Sequence, residues 1–129
     1  GSMMLTMLNP GGNAPQAPYS HGALATNATR TLYISGQVGV DAAGRMGADI
    51  GEQAQIAVAN LNAVLAEAGM TPANLAKVTI YLTDDSLIPG FMQAAGAGLP
   101  SPPPATTLLV VKALAAPPLL VEIEAVAVD

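Results

Sequence analysis

Glu122 and Glu124 stand two residues apart in Leu119-Leu120-Val121-Glu122-Ile123-Glu124-Ala125-Val126-Ala127-Val128, a β-branched stretch without glycine that follows Pro117-Pro118. Such a run reads as a strand. Alternation then places Leu119, Val121, Ile123, Ala125 and Ala127 on one face and both carboxylates, with Leu120, Val126 and Val128, on the other. That second face mixes acid with aliphatic residues. A surface partly covered by another subunit and partly open into a cleft accommodates both kinds; an edge strand protected by charges is the plainer alternative. An acid in a sheltered cleft suits proton transfer, although the same spacing suits many solvated strands, and alternation alone does not choose between the two glutamates. Other chemistries find little support. His21 is the single histidine and has no partners at ligand spacing, so no metal site is expected. Gly36-Gln37-Val38-Gly39 lacks the dinucleotide fingerprint, and no phosphate loop occurs, so no cofactor is expected. Ser20 or Ser35 with His21 and Asp41 has the composition of a hydrolytic triad without the spacing. The absence of Cys excludes disulfides, thiolate metal sites and a Cys nucleophile.

Charge narrows the partners. Only 10% of the 129 residues are charged while 51% are apolar, against about 25% charged in an average soluble domain. A small monomer covers its surface poorly with so few charges, so an oligomer is expected. A net charge of −5, with Arg30, Arg45, Lys77 and Lys112 as the fixed cations, forms no basic stripe for phosphates, which disfavours nucleic acid. Residues 1–129 read as one domain, with Gly1-Ser2 a cloning scar. The apolar region 108–128 is interrupted by Lys112, Pro117-Pro118 and the glutamates, so no membrane span is expected. A cytoplasmic location is the default expectation.

The elements that must position these residues follow from pattern. Residues 3–18 are rich in Pro, Gly and Asn and predict an extended, irregular arm. Residues 22–26 and 31–35 predict two strands joined as a hairpin, with Gly36 and Gly39 allowing a bulge or a close backbone approach. Asp49 followed by Glu52 predicts a capped helix start. Ile50, Ala54, Ala57, Val58, Leu61, Val64, Leu65 and Ala68 recur at helical spacing, and Gly69 suits the stop. Residues 76–83 alternate as a strand with one polar face. Asp84-Asp85-Ser86 opens a weaker helix to about Ala97, with Pro89 in its first turn. Residues 99–104 predict a stiff linker before the apolar run 106–111 and the last strand. The order ββαβαββ, with hairpins at both ends, predicts an α+β sandwich with both helices on one face of a mixed sheet.

In this order stand Asn13-Ala14-Pro15 with Pro18-Tyr19-Ser20-His21, then Leu32-Tyr33-Ile34-Ser35-Gly36-Gln37-Val38, then Val78-Thr79-Ile80-Tyr81-Leu82-Thr83-Asp84, then Val121 to Val128. This succession resembles the Rid (YjgF) family of reactive-intermediate deaminases, some of which carry the older label endoribonuclease L-PSP. The resemblance implies a chorismate-mutase-like fold and a homotrimer whose sheets face inward, with small-molecule clefts between subunits. It implies hydrolysis of 2-imino acids to 2-keto acids and ammonia, an arginine after a Pro-Ala pair gripping the substrate carboxylate. Tyr19 matches the cleft tyrosine, Ser35 the Ser-Gly-Gln serine and Glu122 the cleft glutamate that assists water. The helix position of a cleft asparagine falls near Phe91.

The arginine position falls on Thr106. No Arg follows Arg45, and Lys112 lies too far along the strand to substitute. A neighbouring subunit's Arg30 or Arg45 is the remaining source of such a cation. Threonine cannot form the bidentate pair that arginine offers a carboxylate. Each such bond is worth roughly 1.5–3 kcal/mol, so efficient turnover of 2-imino acids is not expected. Tyr19, Ser35 and Thr106 are then substrate-binding positions for a molecule without a carboxylate clamp. A binding or sensor protein on the same scaffold is the alternative, with ribonuclease activity a third reading that the acidic balance disfavours.

Overall fold

The computed structural model describes residues 1–98 and 100–129. Its elements are β1 (Met4–Leu8), β2 (Gly22–Thr26), β3 (Thr31–Val38), α1 (Ile50–Glu67), β4 (Leu75–Leu82), α2 (Ile88–Ala95), β5 (Ala105–Val110) and β6 (Val121–Val128). Leu99, at the head of the expected linker, lies outside the described residues.

The last strand organises the sheet. β6 runs antiparallel between β3 and β4, and β5 pairs parallel with β4, giving the order β3-β6-β4-β5. Its inward residues Val121, Ile123, Ala125 and Ala127 are buried under the helices, as the alternation predicts. α1 behaves as its pattern requires. Asp49 accepts from the Glu52 N–H, one of the orphan donors of the first turn, while the Glu52 carboxylate accepts from the Ala48 N–H just before the cap. Gly69, with φ of 70°, closes the helix. Ala54, Ala57, Leu61 and Leu65 pack into one core with Leu82, Phe91 and Val121. Burying a side chain the size of Leu82 contributes about 1.5–3 kcal/mol.

Both expected hairpins are replaced. β2 pairs with β1, so residues 4–8 of the arm are a strand rather than irregular, and β3 pairs with β6 instead of β2. The reason is apolar content: β3 offers Leu32 and Ile34 opposite Ala127 and Ala125, whereas β2 has only Ala23, Leu24 and Ala25 and ends exposed. At the other end, β5 and β6 flank β4 rather than each other. The Val111 N–H bonds to the Leu82 carbonyl at 2.8 Å and the Thr83 N–H to that of Leu120 at 3.2 Å. The connection therefore wraps around the end of β4, being too long for a tight hairpin turn. The β1–β2 ribbon joins the edge of the sheet through Ser20, buried, whose N–H bonds to Pro104 and whose hydroxyl donates to Pro103 at 2.7 Å.

Candidate functional site

Among the described residues, a recess lies on each face of the sheet. The first is a cavity of about 530 Å³ between α2 and the inner face of β4 and β5, with Ala17, Pro18 and Tyr19 at its margin. Val78 and Ile80 of β4, Thr106 and Leu108 of β5, Ile123 of β6, and Phe91 and Met92 of α2 form its wall. Thr106 faces this side because it lies opposite the buried Val78 in register. Its hydroxyl donates to the Pro104 carbonyl at 3.0 Å. Tyr19 is held by the Ser20 anchor beside it and meets His21 edge to face at 5.5 Å. Tyr19 and Thr106, singled out separately along the chain, thus share one cavity. Phe91, near the helix position where the resemblance implies a cleft asparagine, lines it as well.

Ser35 and Glu122 lie on the opposite face of the sheet. The β3–β6 register breaks between Ile34 and Gln37, so Ser35 and Gly36 form a bulge. The Glu122 carboxylate lies directly over Gly36, where a Cβ would collide with it. Any side chain at position 36 displaces the glutamate. A second recess of about 400 Å³ on this face is lined by Tyr33, Ser35, Lys77, Thr79 and Glu124. Here Lys77 donates to the Thr107 hydroxyl at 2.6 Å, and Tyr81 donates its phenolic proton to Glu124. That bond, burial and the charges of Glu124 and Glu122 hold the Tyr81 phenol above its ordinary range. Glu124 is therefore bound within the sheet face. The Tyr81–Glu124 pair was hidden in the sequence, because its signal is cross-strand register rather than spacing.

The thickness of the sheet separates Thr106 from Glu122 within one chain. Among the described residues of one chain, no cation lines the cavity that holds Thr106. Arg30 is engaged by Asp129 at 2.6 Å and by the Ala68 carbonyl at the end of α1. Lys112 is exposed beyond the end of β5, not on the strand itself. Arg45 sits in the exposed 41–46 loop. Among the described residues, no group of three or more His, Cys, Asp or Glu is placed to hold a metal ion. No helix among them is long and apolar enough to cross a membrane.

These features define a class: an α+β sandwich with an apolar cavity under one helix and a carboxylate seated on a glycine bulge. The endoribonuclease L-PSP family model matches residues 11–129. The chain belongs to that family, the Rid or YjgF group. Among solved structures it is similar to the Rid-family protein YyfB of Yersinia pestis, at 34% identity and a TM-score of 0.83, covering 97% of this chain and 98% of that one. Among curated proteins it is 37% identical over 82 residues to a RutC family protein of Aquifex aeolicus, 63% of each chain. It is also 40% identical over 75 residues to the 2-iminobutanoate/2-iminopropanoate deaminase of Bos taurus. That match covers 55% of this chain and 53% of the bovine protein.

Proposed function

We propose that the protein is an imine-hydrolysing member of its family, acting as a homotrimer on a substrate held without the usual carboxylate clamp. The observation that carries this reading is the split of the site across the sheet. Tyr19 and Thr106 open on one side, Ser35 and Glu122 on the other. Apposition of the outer face of one copy to the cavity margin of the next unites the two sets in one cleft. There Glu122 takes a proton from water as its oxygen bonds to the imine carbon and the C=N electron pair moves to nitrogen. Glu122 then returns the proton to nitrogen; in the resulting carbinolamine the hydroxyl proton passes to nitrogen through the same carboxylate, the oxygen electron pair forms the carbonyl, and the C–N bond breaks to release ammonia. The deaminase names of the mammalian relatives support the reaction class.

The test is ammonia or carbonyl release from enzymatically generated imines. Thr106→Arg should raise activity on 2-imino acids, because a guanidinium in a sheltered wall is weakly screened. Glu122→Gln in that background should remove most of the gain, by the roughly 10²–10⁴ typical of a general acid or base. Wild-type activity equal to that of an arginine-bearing relative would show that another residue clamps the substrate. A folded but inert Thr106→Arg favours the second reading, a binding protein, which the uncharged wall around Thr106 also supports.

A further inference from the structure

We infer that the cavity beneath α2 takes an uncharged, mainly apolar molecule that presents a hydrogen-bond donor to its Tyr19–Thr106 end. The inference rests on the proposed cleft and specifies its occupant. At about 530 Å³ the cavity falls within the range of small-molecule sites. Its wall is Val78, Ile80, Phe91, Met92 and Leu108, with Tyr19, Thr106 and Thr107 as its polar residues. Among the described residues none on that wall is charged.

Three physical arguments select the ligand. A carboxylate drawn in would shed its hydration against a wall that itself carries no cation. The Thr106 hydroxyl proton is already given to Pro104, so its oxygen offers lone pairs and favours a donor on the ligand. The Thr107 hydroxyl receives the Lys77 ammonium on the far face and takes no part. Met92, unbranched and polarisable, lets the wall adapt to more than one shape.

Indole and indole-2-carboxylate are suitable probes, sharing a ring system and an N–H and differing by the charge. Titration of the full chain, followed by calorimetry and by NMR, should show saturable indole binding with contacts to Phe91 and Met92. The carboxylate should bind roughly tenfold or more weakly, for want of a counter-charge. Ala95→Leu, which fills the cavity from α2, should abolish indole binding without lowering the melting temperature, and Thr106→Arg should close the gap between the probes. Equal binding of both probes, no indole binding, or undiminished binding to folded Ala95→Leu would each overturn the inference. Should Ala95→Leu fail to fold, contacts from indole to residues other than Phe91 and Met92 would overturn it equally. Imine hydrolysis measured on the same sample separates the two readings. Turnover without indole binding removes this inference alone, and indole binding without turnover removes the catalytic reading alone.

Discussion

Tyr81 shows how single residues on the outer face are coupled. Its hydroxyl donates to Glu124, with burial and the Glu124 and Glu122 charges adding to the same effect, so its pKa is raised. Neutral phenol is the form the fold favours. A raised folded pKa means the contribution is complete below the unfolded value of about 10 and is lost as pH rises through the folded value. Tyr81→Phe should therefore be less stable than wild type by a margin that holds at neutral pH and shrinks above about pH 10. Urea unfolding at a series of pH values measures it, and a margin unchanged up to strongly alkaline pH would contradict the assignment. Asp84 is the opposite case. Its bonds to the Ser86 side chain and N–H lower its pKa, so its contribution is present above the ordinary carboxylate value and lost as pH falls below it.

At the scale of elements, Gln53 joins parts of the chain that share no strand. It is 2% exposed and sits on the buried face of α1, a polar residue in an otherwise apolar stripe. Its amide donates to the carbonyls of Gly47 and Pro118, and its oxygen accepts from the Leu120 N–H at 2.9 Å. One side chain thereby pins the loop after β3 and the entry to β6 to the helix. Gly39 and Gly47 are small because a Cβ at either would strike Gln53 or the backbone beside it. Gln53→Leu keeps the volume but strands buried backbone groups, each costing about 1–3 kcal/mol when left unpaired. The expected loss is about 2–4 kcal/mol in chemical denaturation. A loss below about 0.5 kcal/mol would mean that water replaces the amide.

The whole molecule leaves one face of its sheet bare. Both helices cover the inner face, while Tyr33, 78% exposed, and Leu109, 47% exposed, stand on the outer one. Lys77, Thr79, Glu122 and Glu124 lie between them, half-buried. With 10% charged residues the chain has few means of solvating such a surface alone. We predict a trimer at micromolar concentration, with a sedimentation mass about three times the chain's 12.9 kDa. Leu109→Lys on the outer face should weaken it. A stable monomer would remove the inter-subunit cleft and the proposed union of Thr106 with Glu122.

Local chemistry by itself determined α1, from the Asp49 cap to the Gly69 stop, because helix signals and their hydrogen bonds lie within a few residues of each other. It also determined the two faces of β6 and of β4, since alternation is a property of the strand alone. The family resemblance was legible for the same reason, being carried by ordered local blocks. Strand partners were not legible. Local turn signals suggested hairpins at both ends, yet the pairing of β3 with β6 and of β5 with β4 is decided by which apolar faces can be buried together across the whole chain. The site divides in the same way. Tyr19, Ser35, Thr106 and Glu122 could be picked out as residues, but the register of β5 turns Thr106 toward the helices while that of β6 turns Glu122 away from them. Only tertiary structure decides that, because a strand's side chains acquire an inside and an outside when its neighbours and the helices above them are in place.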